Sequence, residues 1–553
     1  MTGPTRLVDA RTDFGAPARV ARLELPAART LAVGAVTLGV VADSLFHDGP
    51  GGLGLAIWIA LSAITFAGVV WRSGRAVPRE AAIWLGAGVL FAAGLAWRDA
   101  PVLNLFNFLA TAWCLAMAAV RLRAPRAALF AAHFRETLTA GVRLALDVAA
   151  GFVPVVFRDL ARPERRAADR GRAMSIVRAG LLSAVVLLVF GSLLRAADPM
   201  FASFISLPGL DFGTAVSHVL VVGFFTWLVA GWGRSALLAE TNQRLPSYGF
   251  SLRLLDVTAI LVTLDLLFAA FVLAQLGWIF GGEAFLRART GLTAAAFARQ
   301  GFFQMAWAVA LVIPVLVVSR GGLAAGAELR RRHTLLSLPA IGLLGAMIAS
   351  ALLRMKMYVH YYGLTTDRIY PIVAMVWLAF VLAWLAATVL RGRGRSFAAG
   401  AIISGLVTLG GLDAADPDLV VARVNVERAA TLGGRSTAGQ SALDLAHLAS
   451  LRGGAVPIAA QVVVNSATIP VGADVMAAAE ARCGAAQTLL RRWGPKSSER
   501  TQSERPAAWR YWNADEASSL SAVSANAPAL EAMAQRFCPP AAPQSSGDAA
   551  RQR

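Results

Sequence analysis

Residues 259–278 read AILVTLDLLFAAFVLAQLGW, and this stretch decides the fold class of the chain. Thr263, Asp265 and Gln275 are its polar residues, and Asp265 is its one ionisable group. An α-helix rises about 1.5 Å per residue, so about twenty residues cross the roughly 30 Å hydrocarbon core of a bilayer. The stretch therefore predicts a transmembrane helix.

Similar apolar runs recur along most of the chain. Its 553 residues are 57% hydrophobic and 15% charged, with a mean hydropathy of +0.59, whereas about 25% of the residues of a soluble protein are charged. We expect an all-α fold: a polytopic transmembrane helical bundle of about eleven spans with a small, mostly helical C-terminal extramembrane domain. The predicted spans are residues 29–46, 51–71, 81–97, 101–120, 174–195, 212–233, 254–280, 303–319, 334–353, 369–390 and 397–412.

Basic residues concentrate in six segments between alternate spans, which carry +18 of the net charge of +19. The segments are residues 1–30, 72–80, 121–173, 234–253, 320–333 and 391–396. Because arginine-rich loops stay in the cytoplasm, we expect a cytoplasmic N-terminus and an extracytoplasmic C-terminal domain. Topology thus explains the charge, and membrane lipids are the expected partners rather than nucleic acid. Arginine replaces lysine almost throughout, which indicates a GC-rich bacterial genome and a bacterial inner membrane.

Composition divides the chain into six parts. Two cysteines, Cys483 and Cys538, belong to the extracytoplasmic part, where an oxidising compartment would allow a disulfide; two free thiols are the alternative. The parts are a cytoplasmic N-terminal segment 1–28, a four-helix transmembrane region 29–120, a cytoplasmic amphipathic and basic segment 121–173, a seven-helix transmembrane region 174–412, an extracytoplasmic helical domain 413–540 and a disordered tail 541–553.

Ionisable side chains inside the spans need a partner or a purpose, since each costs about 2.5–3.5 kcal/mol on insertion scales. Asp265 falls near the middle of its span, Asp256 lies nearer the cytoplasmic end, and His218 lies in the neighbouring span. One hypothesis is a relay for protons or ions through these residues. The alternative is interhelical hydrogen bonding, worth about 1 kcal/mol per bond.

The stretch MYVHYYGLTTDRIY, residues 357–370, separates two spans and has two interpretations. As a helix boundary, its tyrosines form an aromatic belt, Gly363 ends one helix, and Thr365 or Thr366 caps the next. That leaves His360 and the local excess of basic residues unexplained. A surface that binds an anionic lipid or small molecule is the other interpretation. Its candidate residues are Arg299, Arg354, Lys356, His360, Tyr362, Thr365, Asp367 and Arg368.

Known catalytic and cofactor motifs are missing from the sequence. It contains no phosphate-binding glycine loop, HExxH, nucleophile elbow, paired metal-ligand spacing or nucleotide fingerprint. We therefore predict no catalytic residue, no metal and no cofactor, which argues against an enzyme.

Several stretches together carry a resemblance to a family. LLRMKMYVHYYGLTTDRIY (352–370), GLDAADPDLVVARVNVERA (411–429) and GLTAAAFARQGFF (291–303) resemble bacterial membrane proteins grouped as domain of unknown function 4173, which is related to group 4153. Phe297, Gln300 and Asp265 depart from the pattern, which has tyrosine, arginine and asparagine there. The resemblance implies no activity. The matching positions are Tyr362, Gly363, Leu364, Thr365 and Arg368, with Arg299, Gly301, Phe302 and Phe303.

Three functions compete on these observations. The favoured one is transport or handling of an anionic envelope or lipid component, which the number of spans and the basic loops support. The alternative is a non-catalytic sensor or scaffold that signals through the C-terminal domain. A membrane-embedded enzyme that uses His360, Asp367 and the tyrosines of residues 357–370 ranks last, because no motif supports it.

Overall fold

A computed structural model describes most of the chain. The described residues are 23–47, 49, 51–74, 76–123, 134–160, 179–180, 183, 190, 212–237, 253–290, 302–323, 326–393, 396–431, 443–465, 475–495 and 508–538. Their regular elements are all helices, and the predicted all-α class is confirmed.

Sixteen α-helices are named in chain order. They are α1 Leu25–Phe46, α2 Gly52–Arg72, α3 Arg79–Trp97, α4 Pro101–Arg123, α5 Phe134–Pro154, α6 Phe212–Leu237, α7 Leu254–Thr290, α8 Phe302–Gly322, α9 Ala327–Tyr362, α10 Thr366–Thr388, α11 Phe397–Ala415, α12 Pro417–Thr431, α13 Leu445–Ser450, α14 Ala455–Val464, α15 Val475–Trp493 and α16 Ala514–Phe537. A 3₁₀ turn, Ala508–Tyr511, precedes α16.

Ten described helices, α1–α4 and α6–α11, are long and apolar enough to cross a membrane. They correspond to ten of the eleven predicted spans. The remaining predicted span, residues 174–195, lies largely outside the described residues. Two helices are longer than predicted, α7 with 37 residues and α9 with 36. Hydropathy reports only the part of a helix that lies inside the bilayer, and both helices continue through polar turns beyond it. Gly363 ends α9.

The first half of the bundle comprises α1–α6. In it α1 packs on α2 and α6, α3 packs on α4, and α5 packs on α6. The contact between α5 and α6 is backbone to backbone, because a Cβ added to Gly231 would lie 2.0 Å from the carbonyl oxygen of Val148. Ion pairs fix the same region: Arg123 pairs with Asp147, and Arg234 with Asp159.

The second half comprises α7–α11 around its own apolar core. Leu261, Leu316, Leu344, Met375 and Leu385 are fully buried at its centre. α9 packs on α7 and α10, and α11 joins the two halves through α4. Outward-facing apolar side chains cover the helices of both halves, so lipid chains surround them in a membrane. Examples are Val33, Ile64, Leu90, Leu266 and Val376.

Helices α12–α16, here called the C-terminal domain, form a third body with a separate core. Leu448, Val463, Leu489 and Leu530 are buried in it. A disulfide joins Cys483 on α15 to Cys538 just after α16. The domain contacts the turns that follow α1, α3 and α9. We call this the domain end of the bundle, and the other the opposite end.

Candidate functional site

Arg98, in the turn between α3 and α4, is the centre of a buried polar junction between the bundle and the C-terminal domain. The residue is 7% exposed. Nη1 lies 3.1 Å from Asp515 Oδ1 and 3.3 Å from Asp416 Oδ2, and Nε donates to the carbonyl oxygen of Asp413 at 2.6 Å. One guanidinium at the end of α3 thus contacts both the α11–α12 boundary and the start of α16.

The start of α16 is fixed to the end of α3 by a second set of hydrogen bonds. Asn513 caps α16 by accepting from the backbone N–H of Asp515. Its Nδ2 donates to the carbonyl oxygens of Leu95 and Arg98, at 3.2 and 3.0 Å. The backbone N–H of Asp99 donates to Asp515 Oδ2 at 3.2 Å. A buried amide therefore serves both as helix cap and as interdomain contact.

Asp416 lies between α11 and α12 in a left-handed conformation, with φ of +53°. A short polar side chain that bonds to nearby backbone makes this conformation accessible. Asp416 Oδ2 accepts from the backbone N–H of Gly454 at 2.8 Å, and Oδ1 accepts from that of Leu419 at 3.3 Å. Nearby, Asn107 Nδ2 donates to Asp413 Oδ1 at 2.8 Å. Asp416 therefore caps α12 while it binds Arg98.

A second joint links the turn after α9 to α12. Gly363 ends α9 with φ of +77°, as the sequence predicts. The next residue, Leu364, donates its backbone N–H to Asn425 Oδ1 at 2.8 Å and accepts from Asn425 Nδ2 at 2.7 Å. One side-chain amide thus pairs with both backbone groups of Leu364 and holds the turn on the domain.

Neighbouring side chains stiffen the same turn. The Arg368 guanidinium lies 4.1 Å from the centre of the Tyr358 ring and donates to the carbonyl oxygens of Tyr362 and Gly363. Thr365 occupies the cap position of α10, but its side chain makes no cap hydrogen bond. The Thr366 hydroxyl donates instead to Asp418 Oδ1 at 3.0 Å. These residues build a helix boundary and an interdomain contact.

Asn425→Ala is expected to destabilise this joint by about 2–3 kcal/mol, because two hydrogen bonds are lost and the buried groups of Leu364 are left unpaired. Asn425→Asp should cost a similar amount, since a second carboxylate oxygen would face the Leu364 carbonyl. Thermal unfolding of the purified protein and proteolysis at residues 363–366 measure the effect. Asn526→Ala is the control, because the hydrogen bond that Asn526 donates among the described residues goes to Ala522 of its own helix. Equal midpoints for Asn425→Ala and Asn526→Ala would contradict this role.

Two carboxylates between the bundle and the C-terminal domain, those of Asp418 and Asp515, are buried, and burial disfavours their charged forms. Burial raises the pKa of Asp418, against hydrogen bonds from Thr366 and from the backbone N–H of Arg452. Burial also raises the pKa of Asp515, against the attraction of Arg98. A raised folded-state pKa contributes stability at low pH that is lost as the pH rises through it. At neutral pH the junction therefore depends on the positive charge of Arg98.

The predicted anion-binding residues separate in the structure. Arg354 is buried and points towards α7, where Nη2 donates to Gln275 Oε1 at 2.8 Å. Lys356, His360 and Asp367 are exposed, as is Tyr362. Arg299 lies outside the described residues. Arg354 is thus buried, whereas these four members of the set are exposed.

The proposed relay residues have different surroundings. Asp265 is on α7, which packs against α9. Its Oδ1 atom has no hydrogen-bond partner among the described residues. Asp256 accepts locally from the backbone N–H of Arg253 at 3.2 Å. His218 is paired with Asp43, on α1, with Nδ1 2.7 Å from Oδ2. Asp43 is not among the predicted relay residues; it lies four residues before His47, on the same helix face.

A cavity of about 820 Å³ lies within the first half, between α1, α2, α4, α5 and α6. That volume is within the roughly 300–1,000 Å³ of small-molecule pockets. Phe46 lines it near the domain end and Leu31 towards the opposite end; fifteen residues of helix separate them, or about 22 Å. The polar residues of the lining are few, Ser62, Thr65 and Thr111 among them.

Tryptophan side chains connect the walls of the cavity. The indole of Trp58 donates to the carbonyl oxygen of Leu38 at 2.9 Å, joining α2 to α1. Trp227 donates to Ala149 at 2.9 Å, which joins α6 to α5. Trp232 donates to Leu115 at 3.2 Å and joins α6 to α4. The cavity is therefore framed by hydrogen-bonded helices and lined by hydrocarbon.

Comparison with known proteins gives one match. A family model described as domain of unknown function 4153 (DUF4153) matches residues 85–462. No curated protein and no solved structure matches the chain. The matched range includes Arg98, Asp416 and Asn425 of the junction, whereas α1, α2 and Asp515 lie outside it.

Proposed function

The chain belongs to the DUF4153 family, which has no assigned activity, and from its geometry we propose that it takes up and handles an anionic lipid in the cavity of its first half. This function goes beyond what family membership implies. The observation that carries it is the apolar cavity of about 820 Å³, which lies between α5 and four helices long and apolar enough to cross a membrane.

The surroundings of the cavity favour hydrocarbon as its occupant. Water in a space lined by leucine, phenylalanine and tryptophan would find few hydrogen-bond partners. A lipid chain is as apolar as leucine, so its transfer from the bilayer into the cavity costs little. Contacts of the headgroup would then decide affinity.

The proposal includes an orientation and a membrane. The six basic segments support a cytoplasmic N-terminus in a bacterial inner membrane, with the C-terminal domain on the extracytoplasmic side. The cavity then reaches from the cytoplasmic half of the bilayer to the extracytoplasmic surface. The motifs at residues 291–303, 352–370 and 411–429 also support a resemblance to the related group 4173.

Photolabelling tests the lipid site. The purified protein would be reconstituted with phosphatidylglycerol that carries a diazirine in one acyl chain, and labelled peptides identified by mass spectrometry. We expect label on α1, α2 and α6, and a several-fold loss in Ala63→Trp and Ala112→Trp, because both alanines line the cavity. Ala93→Trp is the matched control, since Ala93 is exposed on α3 and does not line the cavity.

Two outcomes would refute the lipid site. One is label restricted to outward-facing residues such as Leu90. The other is equal labelling of the wild type and the two tryptophan variants. A phosphatidylcholine probe of the same chain structure tests the headgroup, because equal labelling with it would remove the preference for an anionic lipid and leave the chain site intact.

The buried junction favours the sensor or scaffold as a second candidate. Arg98 and Asn425 attach the C-terminal domain to two turns of the bundle, so a displacement of the domain would act on α3 and α9. Complementation of a deletion strain separates the two functions. A sensor requires that Arg98→Lys abolish complementation while Ala63→Trp retains it. Lipid handling predicts loss of complementation in Ala63→Trp.

A further inference from the structure

Three potential metal ligands converge at the domain end of the first half. Asp43 lies in the last turn of α1, His47 directly follows α1, and His218 comes from the second turn of α6. Their ligand atoms lie within 4.8 Å of one another. We propose that Asp43, His47 and His218 bind a divalent transition-metal ion of the zinc type.

The geometry brings the three donors to one point. Asp43 Oδ2 lies 2.7 Å from His218 Nδ1, and Asp43 Oδ1 lies 3.5 Å from His47 Nδ1. The two imidazole rings stack with their centres 3.7 Å apart. One carboxylate thus lies beside both imidazoles, and small rotations of the side chains turn all three donor atoms to a shared ion.

Unsatisfied polar atoms support an ion at this point. Among the residues that the structure describes, Asp43 Oδ1 and His47 Nδ1 are buried and have no hydrogen-bond partner, whereas buried polar atoms in proteins are nearly always paired. A cation between them would satisfy both. The His218 side chain is 45% exposed, so an ion can enter from the domain end and retain a position for water or another ligand.

The donor set indicates which class of metal would bind. Two imidazoles and one carboxylate are the ligands of catalytic Zn²⁺ sites that keep an open position, and the same set occurs in Fe²⁺ sites. Mg²⁺ and Ca²⁺ prefer oxygen ligands throughout. The carboxylate also brings a negative charge that attracts a divalent cation. Zn²⁺ and its neighbours in the first transition series are therefore the expected ions.

Chain position explains why sequence spacing misses this site. Asp43 and His218 are 175 residues apart. A metal-binding motif of a few residues, read from the sequence, cannot include both. Phe46, which lines the cavity, lies between Asp43 and His47 in the sequence. The metal site would therefore border the cavity, although the inference rests on three side chains and not on the proposed lipid.

Metal content of the full-length protein tests the proposal. The protein would be purified in detergent through a histidine-free tag, stripped with EDTA, incubated with Zn²⁺ and desalted. We expect about one Zn²⁺ per chain, measured by mass spectrometry of the metal, and at least a tenfold weaker affinity in His218→Ala and Asp43→Asn. His447→Ala, in the C-terminal domain, is the matched control and should retain the metal. Circular dichroism checks that each variant is folded.

Substitution with Co²⁺ gives a second readout that does not depend on variants. Intense d–d absorption would report low-symmetry coordination by these ligands, and its loss on addition of Zn²⁺ would show a shared site. A wild-type protein that retains no Zn²⁺ would overturn the proposal and leave a hydrogen-bonded histidine–aspartate pair. Equal zinc content in the wild type and in His47→Ala/His218→Ala would overturn it too. Loss of zinc with unchanged photolabelling separates this site from the proposed lipid site.

Discussion

Arg98→Ala is expected to lower the free energy that holds the C-terminal domain on the bundle by about 3–5 kcal/mol. The substitution leaves the Asp416 and Asp515 carboxylates buried beside each other without the guanidinium that both contact. It also removes the hydrogen bond to the carbonyl oxygen of Asp413. We expect an earlier unfolding transition and rapid proteolysis before α16, measured on the purified protein in detergent.

Two further variants show whether the stabilisation by Arg98 depends on its burial or only on its charge. Arg98→Lys keeps the charge, but an ammonium group cannot reach three acceptors. Its stability should therefore lie between that of Arg98→Ala and that of the wild type. Arg452→Ala removes a partly exposed ion pair with Asp99, 3.0 Å long, and should cost at most about 1 kcal/mol. If Arg98→Ala cost no more than Arg452→Ala, the junction would not depend on the buried arginine.

Loss of the disulfide between Cys483 and Cys538 is the second large effect. The cysteines are 55 residues apart, and the chain-entropy model assigns a loop of that length about 4 kcal/mol of stabilisation. Cys483→Ser/Cys538→Ser, or reduction of the wild type, should therefore lower the unfolding temperature of α15 and α16. Differential scanning fluorimetry with and without reductant measures this change in unfolding temperature.

The remaining cysteine provides the control. Cys114 is a buried free thiol in α4, so Cys114→Ala should keep the full response to reductant, whereas the double serine variant should have none. A wild type whose stability is unchanged by complete reduction would refute this contribution. In intact Cys114→Ala cells, labelling by a membrane-impermeant maleimide only after reduction would also support an extracytoplasmic domain.

Local sequence was sufficient to predict the ten described spans, because the cost of placing a residue in hydrocarbon depends mainly on that residue and its close neighbours. The end of α9 was predictable for the same reason, since Gly363 tolerates a positive φ. The lengths of α7 and α9 were not predictable in this way, because both helices continue through polar turns where hydropathy no longer reports helix formation.

The junction could not be predicted, because its partners are distant in the sequence. Arg98 meets Asp416 and Asp515 across 318 and 417 residues. Grouping basic residues by local composition also gave Arg354 a place on the membrane surface, whereas it is buried against Gln275. Composition identifies a cluster of charge, but packing decides which way each side chain turns.

The span between Arg98 and Asp515 has a consequence for biosynthesis. At about 5–20 residues per second, roughly 20–80 seconds separate the synthesis of Arg98 from that of its partner. The first four membrane helices are therefore complete while the α3–α4 turn still carries an unmatched guanidinium. The final junction forms only after α16 has left the ribosome, so a chain that stops early keeps that charge uncompensated. Full-length translation is thereby a condition for the mature contact between bundle and domain.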